Sequence, residues 1–358
     1  MKIFFVIPDM YLGGAGKQLV LAAEGLANKG HSVSIYTYMG NIMEHVIDPN
    51  IQYIPEPNHA SSRLGMLLTT PFHIRRIVKR QKPDVIVAWR AHAGGLSVLG
   101  CIGLPIKVVF SERNDPWVES TPTLKILTKI CCFADGGVFQ TPKVRDYYKR
   151  LKRSVIINNI VDPCIELPVI IPIEKRKKEV TWVGRMVNVH KRMDVAIKAF
   201  KHIHEHYPDY VMTMWGDGPD KNKAEELAKS LGLNNCIYFP GSTRKVIDVI
   251  KTSRVFWLTS DYEGFPNVVM ESFIAGTPVV ATDSNSGGVR MLIEDGVNGF
   301  CTPLGDAEMI SKKTSEIIEN DNLSTTFVER SRNKIMEFDY NHIIEKWDMF
   351  LHAVNSGM

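Results

Sequence analysis

Short apolar runs alternate with stretches of helical periodicity along the whole chain. That alternation leaves few architectures open, because strands separated by helices pair in parallel and need helices on their faces. In the first half the strand candidates are 3–7, 32–37, 85–88, 106–110, 137–139 and 154–157. Helices fit between them, for example over 17–29, 66–80 and 143–151. Pro168 and Pro172, with the charged run 174–179, read as a linker. A second series of strands opens at 179–183 and continues through 211–215, 237–239, 255–258 and 279–281. The pattern predicts two Rossmann-like, doubly wound α/β domains, 1–172 and 173–337, with ligands bound in a cleft between them. The last stretch, 338–354, has a helical pattern that includes Trp347 and Phe350. A length of 358 residues suits two domains better than one core.

Composition narrows the function classes. Apolar content of 44% and charged content of 23% are ordinary for a globular chain. No apolar run is long enough to span a bilayer, and the opening 1–8 reads as a buried strand rather than a signal peptide. The six cysteines include the pair Cys131-Cys132 but no C-x2-C spacing, which argues against structural zinc and a disulfide framework and for a cytoplasmic protein. Charge is uneven. Residues 1–172 hold 20 Lys and Arg against 13 Asp and Glu, and the remainder 23 against 26. Two clusters dominate the first half: Arg75, Arg76, Lys79, Arg80 and Lys82, then the basic run from Lys143 to Arg153. Such runs are solvated helix faces or surfaces that sit against anionic lipid. No nucleic-acid-binding module appears among them.

The run from Glu263 to Glu271 carries the most chemistry. Pro266 suits the first turn of a helix, so Glu263 belongs to a loop and a helix starting near Asn267 carries Glu271. Gly276 and Pro278 end that helix, and Val279 begins a strand. A helix N-terminus suits a diphosphate, and carboxylates on either side accept hydrogen bonds from sugar or ribose hydroxyls. Near the start, Gly13-Gly14-Ala15-Gly16-Lys17 follows the first strand. The Walker spacing fails at Tyr11 and Gln18, and the dinucleotide G-x-G-x-x-G spacing fails as well. What remains is a glycine pair before a helix, where the amide of Gly14 can approach a diphosphate.

These segments resemble the GT4-type retaining glycosyltransferases of the GT-B fold, whose signature is two glutamates separated by seven residues before a Gly-x-Pro-Val-Val turn. The resemblance spans nearly the whole chain and implies two Rossmann-like domains, an interdomain cleft and a C-terminal helix, 338–358, that crosses back to the first domain. It implies transfer of a hexose or N-acetylhexosamine from a nucleoside diphosphate sugar, expected to be UDP-linked, to a glycan or lipid-linked glycan in cell-surface polysaccharide biosynthesis. It puts Glu271 on the ribose and Glu263 on the sugar. Arg185 and Lys191 take the diphosphate, with Gly14 and the amides of Asn267 and Val268. Arg192 follows Lys191 where the family commonly has glycine. At the reaction centre, Arg113 stands where many members have histidine, with Glu112 beside it; His92 is the nearby imidazole, and a structural role stands equally open for it. Asp-x-Asp, the metal-holding element of the other large glycosyltransferase fold, is absent from the sequence. No metal or other cofactor is therefore expected. Peripheral contact with an anionic membrane is a further expectation. The alternatives are a nucleotide-sugar epimerase of the same architecture and a non-catalytic sugar-nucleotide-binding protein.

Overall fold

The computed structural model describes residues 1–11, 13–40, 43–58, 62–118 and 121–357. They form two units: Met1–Asp162 with Phe338–Met358, and Pro163–Glu337. The division falls after Asp162, where the linker reading set it after Pro172. The proline-rich segment packs within the second unit, its Pro168 carbonyl accepting from Arg332 Nη2 at 2.5 Å and its Ile171 carbonyl from Arg176 Nε at 3.0 Å.

The first unit holds seven parallel strands, β1 (Lys2–Ile7), β2 (Ser32–Thr37), β3 (Gln52–Pro55), β4 (Val85–Trp89), β5 (Lys107–Ser111), β6 (Gly136–Phe139) and β7 (Ser154–Ile156). Their order is β3-β2-β1-β4-β5-β6-β7. Five helices connect them: α1 (Gly14–Asn28), α2 (Arg63–Gln81), α3 (Ala91–Cys101), α4 (Pro122–Cys131) and α5 (Pro142–Tyr147). Alternate residues of each strand face opposite sides of the sheet. Ile3, Phe5 and Ile7 join Leu19, Ala23 and Leu26 of α1 in one core. Phe4 and Val6 join Ile74 of α2, Leu96 of α3, Leu127 of α4 and Val144 of α5 in the other. Two helix starts are legible in the sequence: Thr121 and Thr141 each precede a proline and accept, through Oγ1, from the amides of Leu124 and Val144. Helix α5 stops earlier than its expected end at Leu151.

The second unit repeats the plan with β8 (Lys177–Val183), β9 (Val211–Trp215), β10 (Ile237–Gly241), β11 (Ser253–Leu258), β12 (Val279–Thr282) and β13 (Phe300–Thr302). These strands are again parallel, in the order β10-β9-β8-β11-β12-β13. Its helices are α6 (Asn188–Lys191), α7 (Met193–His206), α8 (Lys221–Ser230), α9 (Val246–Ile250), α10 (Asn267–Ala275), α11 (Gly288–Leu292), α12 (Ala307–Glu319) and α13 (Asp321–Ile335). Trp182 and Trp257 are buried in its core, and each indole N–H finds a threonine hydroxyl, Thr259 at 3.1 Å and Thr314 at 2.8 Å. That is how a large aromatic is buried without an orphaned donor.

The last helix, α14 (Tyr340–Asn355), belongs to the first unit. Trp347 stacks on Trp89 with ring centroids 5.8 Å apart, and Ile343 and Leu351 enter the α1 core. Asp348 accepts from His31 Nε2 at 2.8 Å, with Lys29 and His352 also against it. No disulfide forms among the six cysteines. No helix among the described residues is long and apolar enough to cross a membrane.

Candidate functional site

In each sheet the strand order reverses beside the unit's first strand, between β1 and β4 and between β8 and β11. Loops leaving the carboxyl ends of such a strand pair diverge and open a crevice. In the second unit those loops carry the sequence-predicted residues. Arg185 follows β8; it is exposed and has no ion-pair partner among the described residues. Lys191 closes α6, and its Nζ lies 2.5 Å from Oε1 of Glu263, which follows β11. Both side chains are largely covered, with 23% and 12% of their surface exposed, so the pair is not a loose surface contact. Helix α10 starts at Asn267 directly after Pro266, so the amides of Asn267 and Val268 open it, and Glu271 lies half-buried about one turn in. The loop holding Glu263 is fixed from behind: Ser286 Oγ donates to the carbonyls of Glu263 and Gly264. A Cβ at Gly288 would sit 2.1 Å from the Gly264 carbonyl oxygen, so this approach requires glycine. Ser260 Oγ, Asp261 Oδ1 and Ser284 Oγ, at the carboxyl ends of β11 and β12, are buried with no hydrogen-bond partner among the described residues.

Arg192 stands where the resemblance expects glycine, and its backbone keeps a conformation that suits glycine. It adopts φ 49° and ψ 52°, the left-handed conformation in which glycine is at ease and other residues are strained by about 1 kcal/mol. Its guanidinium holds both carboxylate oxygens of Asp194, at 3.0 and 3.1 Å, and Oδ2 of Asp261 at 2.9 Å. The hydrogen bonds to Asp194 and then Asp261 raise its proton affinity further. Burial would lift the Asp194 carboxyl, but the bond and charge of Arg192 outweigh it and hold that group below its usual value. Nearby, Asp261 N donates to the His190 carbonyl at 3.0 Å and Thr259 Oγ1 to the Lys191 carbonyl at 2.9 Å. Arg192 thus ties the turn that carries Lys191 to the loop that carries Glu263.

In the first unit, Gly14 opens α1 with Gly13 as its N-cap. Asp9 follows β1 and lies 3.7 Å from Arg90, which follows β4. Arg90 takes φ 75° and ψ 156°, a region nearly confined to glycine, and such strain clusters at functional sites. His92 Nδ1 lies 2.6 Å from the Tyr38 hydroxyl. Burial keeps that phenol protonated and lowers the imidazole, with the Arg90 charge adding to the second effect. Tyr38 therefore stays a phenol and His92 is held toward its neutral form, with one hydrogen bond shared between them. Glu112 and Arg113, the other reaction-centre candidates, make contacts within the first unit. Both are buried. Glu112 accepts from the Tyr148 hydroxyl at 2.6 Å and from the amides of Arg113 and Asn114, while burial raises its pKa. Arg113 lies over the Trp89 ring at 4.3 Å and donates to Ser111 Oγ at 2.9 Å.

Comparison with known proteins agrees with this fold. Residues 12–164 match the family model described as Glycosyltransferase Family 4, and residues 166–334 the model described as Glycosyl transferases group 1. The GalNAc-alpha-(1->4)-GalNAc-alpha-(1->3)-diNAcBac-PP-undecaprenol alpha-1,4-N-acetyl-D-galactosaminyltransferase of Campylobacter jejuni is 24% identical, with 100% of each chain covered. The lipopolysaccharide core biosynthesis glycosyltransferase LpsE of Rhizobium meliloti is 25% identical over 90% of this chain and 91% of its own. HepE of Anabaena, solved with UDP and glucose, superposes with a TM-score of 0.80 at 18% identity over 99% of this chain and 100% of its own, a likeness of fold. With both halves of the chain matched and two parallel sheets of the expected order, the chain belongs to the family 4, group 1 glycosyltransferases and has their GT-B fold.

Proposed function

We propose that this glycosyltransferase acts in polysaccharide or lipopolysaccharide biosynthesis, moving a hexose or N-acetylhexosamine from a UDP-sugar to a glycan or lipid-linked glycan with retention at the anomeric carbon. The observation that carries the reading is the group of charges at the switch point of the second sheet: an uncommitted Arg185 and a Lys191–Glu263 pair. The start of α10 lies on the same chain segment as Glu263. Arg185, Lys191 and the amides of Asn267 and Val268 supply the positive potential that a departing diphosphate needs. Glu263 can exchange part of its bond to Lys191 for a sugar hydroxyl, and Glu271 is assigned to the ribose. The orphaned Ser260, Asp261 and Ser284 atoms mark polar positions that a bound ligand or water would complete. Gly14 and His92 are the candidates in the first unit, His92 as an imidazole held toward its neutral form. In the retaining step the acceptor oxygen bonds to the anomeric carbon on the face from which the phosphate oxygen leaves. The acceptor proton passes to that phosphate oxygen, so no protein base is required. Names of the relatives support the pathway, and the undecaprenol-linked substrate in one of them supports a lipid-linked acceptor.

The test is binding and slow hydrolysis across a panel of UDP- and GDP-sugars with a chelator present. Binding of one UDP-sugar with nucleotide release is expected. Binding of none, or activity that vanishes with chelator, would overturn the donor or the metal-free part of the reading.

A further inference from the structure

Away from the switch points, three side chains able to bind a metal ion converge in the first unit. His31 stands directly before β2, while Asp348 and His352 lie four residues apart on one side of α14. A single carboxylate oxygen, Oδ1 of Asp348, lies 2.8 Å from Nε2 of His31 and 2.8 Å from Nδ1 of His352. The two imidazole rings are 5.4 Å apart. Among the described residues this is the one group of three His, Cys, Asp or Glu side chains whose ligand atoms all lie within 4.8 Å of one another. Cysteine spacing could not announce it, because no cysteine takes part.

The set fits zinc by ligand type, number and reach. Two imidazole nitrogens and a carboxylate oxygen suit that ion, and three protein ligands leave a fourth, tetrahedral position for water. With bonds of about 2.0–2.2 Å, a tetrahedral site sets its ligand atoms about 3.3–3.6 Å apart. Oδ1 of Asp348 has to draw back from each nitrogen by only about 0.5–0.8 Å, which a side-chain rotation supplies. His352, 57% exposed, opens the group to solvent, whereas His31 and Asp348 are largely covered. The His31 ring is also held from behind, with the Met1 amino nitrogen 3.2 Å from Nδ1. A partner on the far nitrogen is what orients a ligating imidazole. Two cations border the site, this amino group and Lys29, which lies 3.6 Å from Oδ2 of Asp348. Glu345 pairs with Lys29 and offsets its charge. His31 lies at the amino end of β2 in a parallel sheet, opposite the carboxyl ends that open the crevice. An ion held there ties α14 to the sheet and takes no part in sugar transfer.

We propose that His31, Asp348 and His352 form a structural zinc site that fastens α14 to the first unit. Zinc on Nε2 of His31 puts that ring's proton on Nδ1, where the Met1 amine accepts it after losing its own, so binding releases a proton. Without metal, the same three side chains hold the helix by hydrogen bonds and charge alone. The test is calorimetric titration of the full chain with zinc chloride, with thermal unfolding followed in parallel. A single zinc ion per chain is expected, and a Tm rise of about 2 °C or more at a hundredfold excess of free zinc over Kd. Magnesium and calcium, which favour all-oxygen ligand sets, are expected to give no rise. His352→Ala changes an exposed position and is expected to weaken zinc binding by about 100-fold or more, since losing even a partner behind a ligand costs about 10- to 100-fold. Asp348→Asn, which keeps the side chain's shape, is expected to weaken it likewise. Circular dichroism checks that both variants fold. Chelator is expected to return the Tm to its metal-free value and leave UDP-sugar binding as it was, so the site and the donor reading are scored apart. The chain has eleven histidines, so zinc affinity that survives His352→Ala belongs to other imidazoles and would overturn the proposal. So would a wild type that binds no zinc, or one that responds equally to magnesium.

Discussion

Glu271 and Arg192 call for different experiments, because one is assigned to ligand and the other acts through its neighbours. Losing a hydrogen bond to a charged group costs about 1.5–3 kcal/mol, so Glu271→Ala is expected to weaken UDP-sugar binding by about 10- to 100-fold. Unchanged affinity in a folded variant would remove Glu271 from the site. Arg192 combines a strained backbone with ties to Asp194 and Asp261. Both Arg192→Gly and Arg192→Ala lose the ties, but only glycine relieves the strain. Glycine is therefore expected to be the more stable variant by about 1 kcal/mol in urea unfolding, while both raise the KM for the donor. Equal stability would mean that the left-handed backbone carries no strain. The loop at Glu263 and the helix that carries Glu271 were legible because glycine and proline around them fix a loop, a helix start and a stop. Arg192 showed only as an arginine at a position where the family commonly has glycine; its ties to Asp194 and Asp261, and the positive φ of Arg90, were not legible. Glu112 and Arg113 follow a strand at its functional end, and their contacts with Tyr148 and Trp89 were not legible because those partners lie far along the chain.

Among the elements, α14 is held by a compact cluster whose contribution depends on pH. Burial alone would raise the Asp348 carboxyl, but the hydrogen bond from His31 and the charges of His352, His31 and Lys29 outweigh it and hold the group below its ordinary value. A depressed carboxylate stabilises the fold above its unfolded pKa of about 3.9 and loses that contribution as pH falls through the folded value. Asp348→Ala is accordingly expected to cost about 1 kcal/mol at neutral pH, discounted because Lys29 and His352 are well solvated. The difference between variant and wild type should close in acid below the ordinary carboxylate range. A gap that persists there would mean that Asp348 acts by packing. The elements themselves were mostly readable, strands 32–37 and 211–215 to the residue. Two were not anticipated. β3 is a four-residue edge strand that ends on Pro55, and β13 is a three-residue edge strand. Edge strands are short and half-solvated, so their apolar pattern is too weak to separate from a loop.

For the whole molecule, each unit has its own cores, and the donor residues other than Gly14 and His92 lie in the second. Ligand that binds only the folded state stabilises by RT ln(1 + [L]/Kd), about 2.7 kcal/mol at a hundredfold excess over Kd. Under native conditions, hydrogen exchange with saturating UDP-sugar is therefore expected to slow amides throughout 163–337, most of all in the loops after β8 and β11. Amides of β1 to β7 should keep their rates, because neither Gly14 nor His92 lies in a strand of that sheet. Residues 1–172 carry an excess of Lys and Arg and the remainder an excess of Asp and Glu, so the cations proposed for the diphosphate, Arg185 and Lys191, act locally rather than as part of a general basic field. Protection spread evenly over both sheets would overturn the assignment of most donor contacts to the second unit.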